Sequence, residues 1–248
     1  MEKALIIEFT GLPGSGKSTL NNAVQKALVS KGYKTWSPRK YWQSMGLEQQ
    51  IPSNNFRKGI IKKLAVILRA IACNMPVMLV VPWRNVLVGH SIRDRYMILN
   101  ALLSNLAEQE AVTSYVPKDT IALIDEGMVH RAYSLFVLPG GSVNISEVMS
   151  YIRAIELPDL LVYVRSNIPD CLDGIVRRGV PARMKRMGVS EALSLLGKGE
   201  FLLDTMVEEL KCLPSSEERV LEVDGDNLCQ AKEKLVNWID EHSRLIKN

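Results

Sequence analysis

Aliphatic runs recur along the chain at residues 4–9, 33–36, 120–124, 160–164 and 219–223. Most are apolar at nearly every position, as strands are when both faces of a parallel sheet are covered by helices. After the first run, Leu20, Ala23, Val24, Ala27 and Leu28 fall at helical spacing, and Gly32 closes the segment. Strands alternating with helices in this way predict a doubly wound α/β architecture. The stretch from about 37 to 119 breaks the rhythm. There Ile60, Leu64, Ile67 and Ile71 share one helical face while Lys58, Lys62 and Arg69 share another, and a second helix is predicted over about 92–110. An insertion of this size is expected to cap the carboxyl ends of the strands, where ligands bind in such sheets. With no repeat, low-complexity tract or Ser/Gly linker, the chain reads as a single domain over 1–248 with a helical insertion at about 40–118.

The first run leads straight into Gly11-Leu12-Pro13-Gly14-Ser15-Gly16-Lys17-Ser18-Thr19. This is strand, glycine-rich loop and helix, with Gly11, Gly16, Lys17 and Ser18 at the G-x-x-x-x-G-K-[ST] positions of a phosphate-binding loop. Glycines let backbone N–H groups turn inward around an anion with no Cβ in the way. The following helix adds its unpaired N-terminal N–H groups and the positive end of its dipole. Gly11, Pro13, Gly14, Ser15, Gly16, Lys17, Ser18 and Thr19 are therefore the candidate nucleotide-binding residues, with ATP the expected ligand. Lys17 is expected to reach the β- and γ-phosphates, and the Ser18 hydroxyl to ligate Mg²⁺. A chance match in a tight turn would lack the strand before and the helix after.

The third aliphatic run ends in Asp125-Glu126-Gly127. A carboxylate at the tip of a neighbouring strand faces the phosphate loop in this architecture, so Asp125 is a candidate Mg²⁺ ligand beside Ser18. Glu126 points the other way if the strand continues, and one of the pair is a candidate acceptor for the proton of an attacking hydroxyl. The alternative is that both serve only as capping residues for the next helix. Further along, residues 177–186 hold five cations around Gly179 and Pro181. Arginines that close over a transferring phosphoryl group stabilise its spreading charge, so residues 177–188 read as a basic lid with Arg177, Arg178 and Arg183 as candidates; a solvated basic helix end is the alternative. Arg39, after the second run, and Arg131, after the acidic tip, are candidate acceptor-binding residues, while His130 reads as a surface or packed residue. Trp36, Trp42, Trp83 and Tyr96 read as core positions before they read as a stacking platform for a base.

Composition narrows the classes. The net charge of +4 is mild and demands no nucleic-acid partner. The four cysteines have no C-x-x-C spacing and read as reduced, mostly buried thiols of a cytoplasmic protein. The apolar stretch from Ile60 to Val88 is broken by Lys62, Lys63, Arg69, Pro76, Pro82 and Arg84, which argues against a membrane span.

Ile6-Ile7-Glu8-Phe9 entering the phosphate loop, Ile124-Asp125-Glu126-Gly127 at a strand tip, Val162-Tyr163-Val164 leading through a helix to Arg177-Arg178-Gly179, and Val223-Asp224-Gly225 before the terminal helix resemble the thymidylate-kinase-like group of P-loop nucleoside and nucleotide kinases. The resemblance covers both ends and the middle of the chain but not residues 40–118. It implies a three-layer P-loop kinase sandwich around a five-stranded parallel sheet in order 2-3-1-4-5. It also implies that Lys17, Ser18, Asp125 and the arginines from 177 onward carry ATP binding and transfer. The family's Asp-Arg-Tyr is replaced here by Asp125-Glu126-Gly127, so the arginine that touches the acceptor phosphate is missing. The expected activity is transfer of the ATP γ-phosphate to a small-molecule acceptor, a nucleoside or nucleoside monophosphate among them. The alternatives are a P-loop ATPase or switch working through a partner protein, and a nucleic-acid end kinase using the Lys58, Lys62 and Arg69 face. The oligomeric state stays open, a homodimer among the options.

Overall fold

The computed structural model describes residues 4–38, 67–83, 86, 92–138, 141–180, 184–185, 187–212 and 219–246. In chain order these form β1 (Leu5–Gly11), α1 (Lys17–Ser30), β2 (Lys34–Trp36), α2 (Met75–Val80), α3 (Ile92–Tyr115), β3 (Thr120–Asp125), α4 (Met128–Phe136), α5 (Ile145–Ala154), β4 (Leu160–Arg165), α6 (Ile168–Arg178), α7 (Val189–Cys212), β5 (Val220–Asp224) and α8 (Leu228–Ile246). Residues 67–73 are also helical.

Each aliphatic run becomes a strand, and the strands pair in parallel in the order β2-β3-β1-β4-β5. With helices on both faces, this is the P-loop kinase fold that the resemblance implied. β1 is central and buried at every position. Its Leu5, Ile7 and Phe9 pack on one face against Leu20, Val24 and Leu28 of α1 and Leu235 and Ile239 of α8. On the opposite face Ile6 packs with Ala122, Ile124 and Val112 of α3. A larger core over that face joins α4, α5 and α7 through residues such as Phe136, Tyr151 and Leu203. Each fully buried Leu or Phe contributes roughly 2 kcal/mol, so the layers fix where β1 ends and hence where the loop begins. Helix α3 runs past the expected end near 110 because Ala111 and Val112 stay buried against the sheet.

Several expectations are corrected. Cys171 is buried, but Cys73, Cys212 and Cys229 are exposed, since they sit on the outward sides or ends of helices. Tyr96 projects into solvent at 70 % exposure instead of packing. Trp83 is partly buried and donates its Nε1–H to the Met78 carbonyl at 2.9 Å, and Trp36 packs beside Ile6 and Ala122. Arg69 does not present a free cation to a nucleic acid, because it pairs with Glu110 of α3 at 3.0 Å. Among the described residues no helix is long and apolar enough to cross a membrane. Arg39, Lys40, Trp42, Lys58, Lys62, His90 and Arg183 lie outside the described residues.

Helix α6 lies directly on the phosphate loop. A Cβ at Gly174 would stand 2.7 Å from the Gly14 carbonyl oxygen, and one at Gly14 would stand 2.0 Å from the Cys171 carbonyl oxygen. Two backbones therefore meet with no side chain between them. Helix propensity by itself favours Gly174→Ala by about 1 kcal/mol, whereas a methyl forced against backbone costs roughly 1–3 kcal/mol. The contact wins, so Gly174→Ala is expected to lower the unfolding midpoint in a urea or thermal titration; a variant as stable as the parent would mean that α6 does not press on the loop.

Candidate active site

The site forms where β1 gives way to α1. Gly11 closes the strand at φ 152, and a Cβ there would meet the Val164 carbonyl at 2.6 Å, so β4 seals this side of the loop. The loop folds on itself through Ser15 N–H to the Leu12 carbonyl at 3.1 Å, and Gly16, in the left-handed region at φ 87, caps α1. Lys17 opens the helix and is only 2 % exposed. Its Nζ donates to the Leu12 carbonyl at 3.4 Å and pairs with Glu126 Oε1 at 3.1 Å.

A cavity of about 400 Å³ opens beside this lysine. Residues Gly14 to Thr19 form one wall, Arg177 and Arg178 at the end of α6 a second, and Gly225 and Asp226 after β5 a third. The structure thus gathers the loop residues and two of the lid arginines around one space. A larger cavity of about 460 Å³ lies at the ends of β4 and β5 over the opposite sheet face. There Arg165 bridges Asp204 at 2.6 Å and Glu222 at 3.0 Å, so its charges satisfy one another, and it holds neither Lys17 nor the glycines of the loop.

Two buried oxygens at the loop, Ser15 Oγ and Asp125 Oδ1, have no hydrogen-bond partner among the described residues. Burial raises the Asp125 pKa above the ordinary value; a hydrogen bond from Ser18 opposes this, the Glu126 charge adds to it, and Lys17 and Arg178 work against it. A carboxylate oxygen left bare next to a hydroxyl is a hard-oxygen donor set, which fits Mg²⁺. Neither Asp125 nor Glu126 caps the next helix with its side chain: the N-cap of α4 is Gly127, which makes no side-chain cap bond.

Glu126 departs from expectation. The strand stops at Asp125, so alternation no longer applies, and Glu126 takes a left-handed φ of 63. That turn brings its carboxylate back toward Lys17 instead of away from it. A non-glycine residue there is strained by roughly 1–2 kcal/mol and persists only where its surroundings over-determine it. Here the Glu126 carbonyl accepts the Asn105 side-chain amide at 2.8 Å and Arg131 Nη2 at 3.4 Å. Arg131 Nε and Nη2 also donate to Asn105 Oδ1 at 3.0 and 2.7 Å. The guanidinium of Arg131 is thus turned back onto the acidic tip.

His130 and Glu8 are site residues that the sequence reading missed. His130 is 5 % exposed, with Nδ1 3.2 Å from Thr10 Oγ1 and Nε2 3.7 Å from Glu126 Oε1. Burial first, then repulsion from Lys17, holds its pKa down at about 3, so the imidazole is neutral at physiological pH. Burial works to raise Glu126, but His130, Lys17 and Arg131 overcome it and hold the carboxyl at about 2. Because His130 is neutral above about pH 3, the cations that keep Glu126 ionised in the physiological range are Lys17 and Arg131. Glu8, on β1, is 4 % exposed and accepts the His130 backbone N–H at 2.8 Å. A lone charge inside an aliphatic strand run was the available signal, since a buried carboxylate needs partners. For His130 the signal was its place four residues after Glu126, one turn into the helix that follows the acidic tip.

Comparison with known proteins agrees with this picture. The adenylylsulphate kinase family model matches residues 3–80, the segment that begins with β1 and the phosphate loop. The structure of deoxyadenosine kinase from M.mycoides with bound dATP is similar at a TM-score of 0.50 and 14 % identity, with 95 % of this chain and 100 % of that chain covered. A second structure of that enzyme, with products dCMP and a flexible dCDP, gives 0.49 and 15 %, covering 96 % and 100 %. No curated protein matches the sequence. The structural likeness shows the fold; the family match and the sheet order together support a P-loop kinase, an enzyme of the phosphotransferase class.

Burial raises the Glu8 pKa from 4.5 to about 7, against the lowering effect of backbone bonds from His130, Val129 and Met128. The folded chain therefore holds a proton that the unfolded chain releases between pH 4.5 and about 7. Stability from this group is full below the lower value and is lost as pH rises through the upper one, by an amount on the order of 3 kcal/mol. His130, buried neutral, contributes an opposite change that both proteins share, so the loss is read as a difference: from pH 5 to pH 8 in urea unfolding the parent is expected to lose stability relative to Glu8→Gln. Equal slopes in the two proteins would mean Glu8 titrates normally.

Proposed function

We propose that this chain is an ATP-dependent phosphotransferase that moves the γ-phosphate to a small acceptor, a nucleoside or nucleoside monophosphate, as in the thymidylate-kinase-like group. The observation that carries this reading is a buried lysine in the wall of a cleft that Arg177 and Arg178 face, with two unpartnered buried oxygens close by, Ser15 Oγ in the same wall and Asp125 Oδ1 beside Ser18. Backbone N–H groups at the end of the loop and the start of α1 take the phosphates, and Lys17 exchanges its contact with Glu126 for the β- and γ-oxygens. Ser18 and Asp125 are the residues that fit Mg²⁺, which when bound neutralises charge on those oxygens. Glu126, released by Lys17 and kept ionised by Arg131, takes the proton of the attacking hydroxyl. Arg177, Arg178 and Arg183 close over the transferring group and exclude water. Arg39 grips the acceptor, and Arg131, bonded to Asn105, holds Glu126. The chain works as one domain in the cytoplasm, alone or as a homodimer.

The test is ADP release from Mg-ATP with and without a pool of nucleosides, nucleoside monophosphates and other small hydroxyl compounds. Turnover is expected to rise with at least one acceptor and to fall at least about 100-fold in Lys17→Ala, with the fold intact by circular dichroism. Slow turnover that ignores every acceptor would point instead to an ATPase or switch, and near-normal turnover in Lys17→Ala would overturn the mechanism.

A further inference from the structure

We infer that Glu8 is a positioning residue of the phosphoryl-transfer site: it fixes the first turn of α4 and, through that turn, the Glu126 carboxylate. This rests on the function proposed above. Glu8 lies on β1 between Ile6 and Thr10, where an aliphatic side chain would fill the core without cost. It does not line the nucleotide cleft. It borders a void of about 20 Å³ together with Asn105 and Gly127, behind the acidic tip. Its role is therefore to be sought in what it binds.

What it binds is the start of α4. The carboxylate accepts the His130 N–H at 2.8 Å, and the neighbouring amides of Val129 and Met128 favour its charged form. Gly127 at the N-cap offers no side chain, so the cap comes from a neighbouring strand instead. The approach is possible because position 127 is glycine: a Cβ there would stand 2.6 Å from Glu8 Cδ and Oε2. A cap at this place satisfies orphan amides and complements the helix dipole.

The first turn so held carries two of the groups that restrain Glu126. Arg131 reaches the Glu126 carbonyl directly and through Asn105. His130 sets its ring between Thr10 and the Glu126 carboxylate. Since Glu126 sits in a conformation that L residues avoid, at φ 63, release of either restraint frees it to leave Lys17. Glu8 thus couples the strand that delivers the phosphate loop to the turn that delivers the carboxylate, without touching substrate.

Glu8→Gln keeps the shape and replaces one acceptor oxygen with a donor. Expected are a kcat about tenfold lower, a Kd for Mg-ATP by calorimetry within about twofold of the parent, and displaced ¹⁵N NMR signals for the Arg131 Nε–H and the His130 ring. Glu8→Asp, which restores the carboxylate one methylene short, is expected to recover part of the kcat. The inference is overturned by unmoved Arg131 and His130 signals, by kcat and nucleotide affinity falling together, or by a Glu8→Gln chain that does not fold, which would make Glu8 a scaffold residue only. Parent protein without acceptor-dependent turnover would sink the proposed function. The NMR arm then still decides whether Glu8 positions Glu126.

Discussion

A buried ammonium has to be answered by oxygen, and the centre of this structure is the answer to Lys17. Water reaches 2 % of that residue, so its charge falls to nearby groups. The Leu12 carbonyl supplies a dipole and Glu126 supplies a charge. Without Glu126 the buried cation would have the Leu12 carbonyl dipole but no charge to answer it, an arrangement that low local polarity makes expensive. Much of the unusual local structure follows from this. The strand ends one residue before Glu126 so that the chain can turn back, and Asn105 and Arg131 hold the carbonyl of the turn. Asp125, which the same turn leaves at the strand end, keeps an oxygen bare.

Glycine serves close approach as much as turning in this site. At Gly14 both apply, since φ is 89 and the Cys171 carbonyl lies within 2.0 Å of any Cβ. At Gly174 and Gly127 the backbone is ordinary and the demand is spatial: α6 must lie on the loop, and a carboxylate must reach helix amides. The same contact that brings α6 onto the loop carries Arg177 and Arg178, at its last turn, to the rim of the cleft. Their placement is thus a consequence of backbone packing one turn earlier in the helix.

How much of this was legible in the sequence depends on whether the signal was local. The strands were legible because fully covered strands are aliphatic throughout, and the phosphate loop because its glycines, lysine and serine occupy fixed offsets. The order of the strands was not in the pattern, which has no memory of which edge pairs with which; it came only through resemblance. Glu126 was misdirected because alternation assumes that a strand continues, and no residue type announces a left-handed turn one position beyond Asp125. Arg131 looked available to an acceptor because its partner, Asn105, is distant in sequence. Cys73, Cys212 and Cys229 looked buried because cysteine usually is, yet helix phase decides each case and turns them outward.

β1 shows how one strand can set two sites at once. Leu5, Ile7 and Phe9 face α1 and α8, and their packing fixes the helix that begins with Lys17. Ile6, Glu8 and Thr10 face the other way: Ile6 packs beside Val112 of α3, and Glu8 and Thr10 bond to His130 of α4, the helix that restrains Glu126. The parallel register with β3 pairs Phe9 with Asp125, so the strand leaves for the loop level with the acidic tip. A displacement of β1 along its axis would therefore move the lysine and the restraints on its carboxylate partner together, preserving the ion pair. A displacement of α4 alone would break it. The polar contacts are accordingly concentrated on the α4 side, where register provides no protection, while the α1 side is held by hydrocarbon.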